Sequence, residues 1–396
     1  MPPDSILVSE AQHQAHADER LVPTGAASHS DLSREVYCIL GMPVDAVDMA
    51  GALQKLEAAA AGGAPFLVST PNLNFLVNIQ SDEEFRDTLL DSDLCLADGL
   101  PIIWIARIMG LPIRERVAGS DMFDALKSPA RFAQQLSVFL FGGAQGAAAA
   151  VAAKLHAEPC GLRAVGSLDP GFLTVEEMSR DDIIDVINAS NADLLAVFLG
   201  AKKGQLWLHR NHDRLRVPIR VQLGATVNFQ AGTVRRAPRM VRAWGFEWLW
   251  RIKEEPYLWR RYWNDGRVLL RLLVTRVLPL LVVTHGHRLR SNPAGQELVI
   301  TTRQDQRSFV MTLRGAAVAR NIDTAIACFR SALAARRHLV AIDFSEVRAI
   351  DARFLGLLLM LRKGLKERGG RLELTGVSGP TARSFRLNEL RYLLTP

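Results

Sequence analysis

The 396-residue sequence has no long apolar run, no closely spaced cysteines and no paired histidines. Its four cysteines, Cys38, Cys95, Cys160 and Cys328, are scattered. That excludes a disulfide scaffold and a zinc ribbon, and it fits a reducing cytosol. The nine histidines form no His-x-x-x-His-like pair. His285 and His287 flank a glycine in an expected loop and take no role. No nucleophile elbow or Cys/His pairing occurs. The first nineteen residues carry Asp4, Glu10 and Asp18 but no apolar run, unlike a signal peptide. Val268–Val283 is strongly apolar but holds Arg271, Arg276 and Pro279, and it falls short of the ~20 apolar residues that a spanning helix needs.

What is present is an ordinary globular composition, 48% hydrophobic and 22% charged, with length for two or three domains. The net charge of +7 has an address: residues 235–290 hold thirteen Lys/Arg against four Asp/Glu. Such a patch suits a polyanion, an anionic membrane surface or a phosphorylated substrate.

Residues 1–33 are rich in Ala, His, Ser and Asp without periodicity, and are expected to be a mobile tail. From Val36 onward strands and helices alternate. Strands are expected at Ala64–Thr70, Asp93–Ala97, Leu136–Phe141, Asp193–Leu199 and Val217–Leu223, with helices at Asp82–Leu90 and from the 142–146 glycines to about His156. Strands that close on Gly or a polar residue and alternate with helices indicate a parallel α/β sheet over 34–234. Ligands then belong beyond the carboxyl ends of the strands, where Thr70, Asn72, Asp98, Gly142, Gly143 and Gly200 fall.

From Arg235 the composition changes. Five of the seven tryptophans lie between Trp244 and Trp263, among Arg242, Arg251, Lys253, Arg260 and Arg261. Trp244 and Trp248, and Trp259 and Trp263, each share a helix face by their four-residue spacing, and Pro256 divides the two helices. Arg260, Arg267 and Arg271 make one cationic stripe. Residues 235–290 fit an amphipathic appendage lying on an anionic membrane surface; the other reading packs the tryptophans against the sheet domain. After a linker at 291–295, two paired strands (Glu297–Thr302, Ser308–Leu313), helices at Asp323–Arg336, Arg353–Arg368 and Thr381–Leu394, and strands at His338–Phe344 and Arg371–Thr375 form a second α/β unit over 291–396.

Asp98, at the end of a buried strand and before a glycine, is placed either to accept a substrate proton or to cap the next helix. Gly142-Gly143-Ala144-Gln145-Gly146 is a strand-to-helix turn whose amides suit a diphosphate or close packing. It is neither GxGxxG nor a P-loop. Asp91-Ser92-Asp93 looks like a metal-binding pair but precedes its strand, at the wrong end of the sheet, and reads as a turn. No metal or cofactor is called for.

Together, Ser69-Thr70-Pro71-Asn72, Ala97-Asp98-Gly99-Leu100-Pro101, Arg116-Val117-Ala118-Gly119-Ser120-Asp121, Phe139–Gly143, Gly166 with Pro170-Gly171-Phe172, Leu199-Gly200, Ala231–Pro238 and Phe246–Arg251 with Glu255-Pro256 resemble the WecG/TagA/CpsF glycosyltransferases, over roughly 36–265. The resemblance implies a Rossmann-like sheet domain and inverting, metal-independent transfer from a nucleoside-diphosphate sugar, usually a UDP-sugar. It further implies a polyprenyl-pyrophosphate-linked acceptor in surface or exopolysaccharide synthesis, on the cytoplasmic face of the cell membrane. By the family pattern Asp98 is the general base, and Thr70 and Asn72 line its pocket. Arg251, Arg260 and Arg261 meet the leaving diphosphate. Apart from the family pattern, the glycine turn at Gly142 and Gly143, together with Gly200, is expected to help seat the donor diphosphate. The family usually reads Gly-x-Pro-x-Gln-Glu-x-Trp after the fourth strand; here Lys202, Gly204 and Gln205 replace Pro, Gln and Glu, so that either Gln205 substitutes in the donor pocket or the donor contacts there differ.

Ala341–Val347 with Ile350-Asp351, Leu355-Gly356, Gly370 and Leu387 with Leu390 resemble a STAS domain over about 297–396. Phosphorylated members carry a Ser after the Asp; Asp351-Ala352-Arg353 has none, which argues against a phospho-switch and leaves docking of a protein partner, ligand sensing or a structural role. Two other readings are a degenerate transferase acting as a membrane scaffold and a nucleic-acid binder; the Trp-rich apolar stretch favours lipid over nucleic acid.

Overall fold

The computed structural model describes residues 31–128, 135–157, 161–238, 240–241, 246–283 and 297–394. The expected tail before residue 31, Cys160, Arg242, Trp244, His285, His287 and the 291–295 linker lie outside them.

The chain enters through a hairpin, β1 (Val36–Ile39) and β2 (Met42–Asp45), paired antiparallel. Its turn residues Leu40 and Gly41 both have positive φ, 49° and 87°, the hand that matches strand twist. Every strand residue is buried, so both faces of the hairpin are covered. Then follow α1 (Met49–Gly62), β3 (Phe66–Ser69), α2 (Leu73–Asn78), α3 (Glu83–Leu90), β4 (Leu94–Cys95), α4 (Leu100–Ile108), α5 (Gly119–Leu126), β5 (Leu136–Gly142) and α6 (Ala147–Ala157). β6 (Leu162–Leu168), α7 (Asp181–Ala189), β7 (Leu194–Phe198), α8 (Ala201–Arg210), β8 (Ile219–Gln222) and α9 (Thr226–Ala231) complete the unit.

Strands β3 to β8 form one six-stranded sheet in the order β4-β3-β8-β7-β5-β6, parallel throughout. β5 and β7 are apolar on both faces and wholly buried, as helices on both sides of a sheet require. The strand order reverses at β5, whose connection runs to β6 on one side while that of its neighbour β7 runs to β8 on the other; in parallel sheets the ligand crevice lies at the carboxyl ends beside such a point.

α10 (Glu247–Glu254) and α11 (Trp259–Leu272) are joined by a 3-10 turn at Pro256–Leu258, and α11 runs through a π turn at Leu273–Val277. One face packs inward: Leu272, Val277 and Leu280 share a core with Phe75, Ile102 and Ile105, and Asn74 donates to Asp265 at 3.4 Å. The opposite face leaves Trp259, Trp263, Leu270, Val274, Leu278 and Val282 each more than half exposed. Arg260, Arg267 and Arg271 lie exposed beside that stripe. No described helix is long and apolar enough to cross a membrane.

The C-terminal unit comprises β9 (Val299–Gln304), β10 (Ser308–Ala317), α12 (Ile322–Ala334), β11 (Leu339–Ile350), α13 (Ala352–Lys366), β12 (Arg371–Thr375) and α14 (Gly379–Leu387). Its sheet runs β12-β11-β10-β9, with β9 antiparallel and the other pairs parallel. Thirteen of the fifteen residues of α13 are buried, Arg353 and Lys363 among them; a helix of that kind needs a partner on every side. Its own sheet covers one side and the β1–β2 hairpin the other. At Gly356 a Cβ would stand 2.2 Å from the Val36 carbonyl oxygen, so the two backbones touch. Arg353 donates to the carbonyls of Val36 (3.2 Å) and Arg34 (3.1 Å).

A buried ionic network seals this junction. Lys363 Nζ lies 2.8 Å from Asp31 and 2.6 Å from Asp93. Arg34 bridges Asp31 (2.8 Å) and Asp45 (2.7 Å), and Asp45 accepts from the Cys95 N–H at 2.7 Å. Asp31 and Leu32, which the sequence assigned to the mobile tail, are therefore buried. The appendage joins in through an Arg276–Glu389 ion pair. Asp351, the residue preceding the missing phosphorylatable hydroxyl, caps α13 by accepting from Phe354 N–H at 2.9 Å.

Candidate active site

The segment that carries Asp98 is held on both sides. Leu96 N–H donates to Ser69 and Asp98 N–H to Pro71, both at 2.9 Å, and Val117 N–H donates to Ala97 at 2.9 Å. Asp98 thus sits just beyond the carboxyl end of β4, half-buried. It does not cap α4: that place belongs to Gly99, whose φ of 125° and ψ of 137° only glycine adopts readily and which makes no side-chain cap bond. The Asp98 carboxyl instead faces the N-terminus of α5, where the Gly119 N–H stabilises its charge, and the Arg116 guanidinium. Burial outweighs both. With Glu247 and Asp121 also raising it, the Asp98 pKa is pushed up to about 7, the range in which a general base works best at neutral pH.

Thr70 and Asn72 reach the same place. Thr70 is buried and donates to the Gln222 carbonyl at 3.4 Å. A Cβ on Gly119 would come within 3.4 Å of Thr70 and 3.0 Å of Leu223, so α5 approaches this closely only because it opens on glycine. The side-chain oxygen Oδ1 of Asn72 caps α2, accepting from Asn74 N–H (3.0 Å) and Phe75 N–H (3.4 Å).

The cation beside Asp98 is Arg116, to which the sequence assigned no role. One end of its guanidinium binds Glu247 of α10 at 2.8 Å and the other binds Asp121 of α5 at 2.8 Å. Arg236 in turn binds Asp121 (2.6 Å) and Ser120 (2.7 Å). All of these residues except Glu247 fall within Arg116–Asp121 or Ala231–Pro238, and Glu247 within Phe246–Arg251. The motifs carried the signal, but their mutual pairing is visible only in three dimensions.

The other expected donor contacts are dispersed. Gly142 and Gly143 turn with φ of 91° and 99°, where a Cβ would strike Leu199 at 2.8 Å or Val227 at 2.9 Å. Close packing thus suffices to require both. Beside them Asp169 accepts from the N–H groups of Gly146 (3.1 Å) and Gly171 (3.0 Å), so a carboxylate already occupies part of the amide cradle. β5 lies four strands from β4, roughly 19 Å at sheet spacing, so only an extended ligand could touch both Asp98 and this turn. Gly200 opens α8 with free space where a Cβ would stand. Gln205 is not in the pocket. It is fully buried and donates to Ser69 Oγ (2.7 Å) and the Thr88 carbonyl (3.3 Å), because it is enclosed between α3 and the last residue of β3. Its donor-contact role is withdrawn.

Arg251 pairs with Glu255 at 2.8 Å and lies 5.8 Å from the Phe229 ring centroid, tying α10 to α9. Arg261 lies over Tyr262, 5.0 Å from its centroid, and acts on Glu255 and Asp265, while the residue itself is exposed. Arg260 stacks near Trp259 at 5.7 Å, beside the exposed stripe. Asp91 and Asp93 are spent on Lys366 (2.9 Å) and Lys363, as a turn and not a metal pair.

Comparison with known proteins finds two family matches along the chain. A model for the glycosyl transferase WecG/TagA/CpsF family matches residues 37–280, and one described as Mlab, STAS domain matches residues 300–395. The N-acetylglucosaminyldiphosphoundecaprenol N-acetyl-beta-D-mannosaminyltransferase of Bacillus spizizenii is 26% identical over 199 residues, which is 50% of this chain and 74% of that protein. The protein of the same name from Bacillus subtilis is 24% identical over 207 residues, 52% of this chain and 78% of its own. Among solved structures, the STAS domain of an antisigma-factor antagonist from Rhodobacter sphaeroides covers 25% of this chain and 97% of itself, at 17% identity and a TM-score of 0.18.

Proposed function

Given that this chain belongs to the WecG/TagA/CpsF family of glycosyltransferases and ends in a STAS domain, we propose that it transfers a sugar with inversion from a UDP-sugar to a saccharide linked to a polyprenyl diphosphate, with Asp98 as the base. The two Bacillus relatives are named for an acceptor of that kind. In the proposed step the Asp98 carboxylate takes the proton of the acceptor hydroxyl. The acceptor oxygen bonds to the anomeric carbon from the face opposite the donor phosphate. The anomeric C–O bond breaks, and the nucleoside diphosphate leaves with the electron pair. The observation that carries this reading is the state of Asp98: not used as a cap, held at a strand end, and poised near neutrality.

Arg116 is the cation acting on that carboxylate, and Arg261, exposed on α11, would supply a second cation to the developing phosphate charge. The Thr70 and Asn72 side chains line the pocket.

The exposed face of α11 and its continuation supports a place on a membrane surface. Six large apolar side chains would enter the headgroup layer, and Arg260, Arg267 and Arg271 would meet anionic lipid. A lipid-linked acceptor is then reached from the surface without a spanning helix. The test is direct. Purified full-length protein, anionic vesicles carrying a polyprenyl-diphosphate saccharide, and a panel of nucleotide sugars should give a lipid product longer by one sugar. No product with any donor would contradict the reading.

A further inference from the structure

Arg116 has two ends, and they are held by different parts of the chain. Asp121 belongs to α5, within the sheet domain. Glu247 belongs to the first turn of α10, 131 residues further on, in the appendage that carries the apolar stripe. Both bonds are 2.8 Å, and the side chains of Arg116 and Glu247 are 18% and 19% exposed. They are shielded enough for charge to act strongly. The charged groups acting on Asp98 are Arg116 from the loop before α5, Asp121 on α5 and Glu247 on α10. Arg236 binds the far oxygen of Asp121.

From this arrangement we infer that Glu247 is a positioning residue for the reaction: by holding one end of Arg116, it keeps that guanidinium from closing fully on Asp98, so that the base is set correctly only while the appendage is seated. The inference rests on the base role proposed above. Glu247 touches no reacting atom. It acts through Arg116 and through its own negative charge. Removing that charge takes a like charge away from Asp98 and leaves Arg116 free to approach it. Both changes favour the carboxylate, so the Asp98 carboxyl should titrate lower.

The test uses the full chain and the variants Glu247→Gln and Glu247→Asp, with folding checked by circular dichroism. Asp98 is titrated by 13C NMR of its carboxyl carbon, assigned by comparison with Asp98→Asn. In Glu247→Gln the midpoint should fall by about one pH unit, and in Glu247→Asp, which keeps the charge, it should stay near the unsubstituted value. The acid limb of kcat/KM should move down with it, with the donor KM little changed. The titration needs no turnover. An Asp98 midpoint unmoved by Glu247→Gln, or moved equally by both variants, overturns the role of Glu247 and leaves the transferase reading standing. Failure of the unsubstituted protein to transfer any sugar strikes that reading instead.

Discussion

Lys363 donates to Asp93 at 2.6 Å, and the two residues belong to different domains. Lys363 lies on the central helix of the STAS domain. Asp93 precedes β4, the short strand whose far end leads to Asp98, and its other oxygen accepts from Leu67 N–H of β3 at 2.8 Å. The STAS domain is thus built into the base of the transferase sheet, and its most buried helix has no free face for a partner.

Replacing Lys363 with Met should destabilise the whole chain, because Asp93 would lose its cation and Asp31 would keep only Arg34, which it shares with Asp45. Breaking a buried pair on one side costs about 3–5 kcal/mol. The half-exposed Lys366–Asp91 pair offers the control: Lys366→Met should cost under about 1 kcal/mol. Urea unfolding measures both. Equal losses would deny the buried network its place.

Gly356→Ala tests the same junction through its backbone. The added methyl meets the Val36 carbonyl at 2.2 Å, so the hairpin must move. A loss of about 1–3 kcal/mol is expected, along with earlier proteolysis near the hairpin. Gly266→Ala, where nothing lies within 4 Å, should be neutral or mildly stabilising. Unchanged stability of Gly356→Ala would mean that helix and hairpin do not touch.

Much of this fold could be read in the sequence, and the parts that could not have a common reason. β3, β5, β7 and β8 announce themselves as apolar runs, and the seven elements of the STAS domain alternate plainly. β6 was missed because an edge strand tolerates Arg163, Gly166 and Ser167 and shows no apolar run. The β1–β2 hairpin was missed because its partner, α13, lies some three hundred residues away in sequence. Lys363 looks like a surface lysine until Asp31 and Asp93 are brought to it. The same holds at the site. Asp98, Thr70 and Asn72 were legible as polar residues at strand ends. The Arg116–Glu247 pair was not, and Gln205 was misplaced because spacing alone does not say which way a helix face turns.

The exposed stripe on α11 makes a prediction about membranes. The triple variant Trp259→Ser, Trp263→Ser, Leu270→Ser should lose most co-sedimentation with anionic vesicles while keeping its unfolding midpoint, since all three side chains are more than half exposed. Arg260→Gln, Arg267→Gln and Arg271→Gln together should weaken binding by about 1 kcal/mol per arginine, and added salt should narrow that difference. Unaltered sedimentation of both variants would remove the docking role.

The elevated pKa of Asp98 predicts the pH dependence. The carboxylate is the form that accepts a proton, so kcat/KM should fall as pH drops through about 7. An ordinary exposed aspartate would instead hold the rate constant to near pH 4. An acid limb centred near 4 would mean that Asp98 is more solvated than its surroundings indicate, or that another group is the base.

The most direct test is Asp98→Asn. The amide keeps the size of the side chain and the approach to Gly119 but accepts no proton. Transfer to the lipid-linked acceptor should fall by about 100- to 10,000-fold, the usual worth of a general base, while the donor nucleotide still binds by calorimetry within a few-fold of the unsubstituted protein. Turnover within a few-fold of normal would contradict the assignment of Asp98 as the base and, with it, the account of this site.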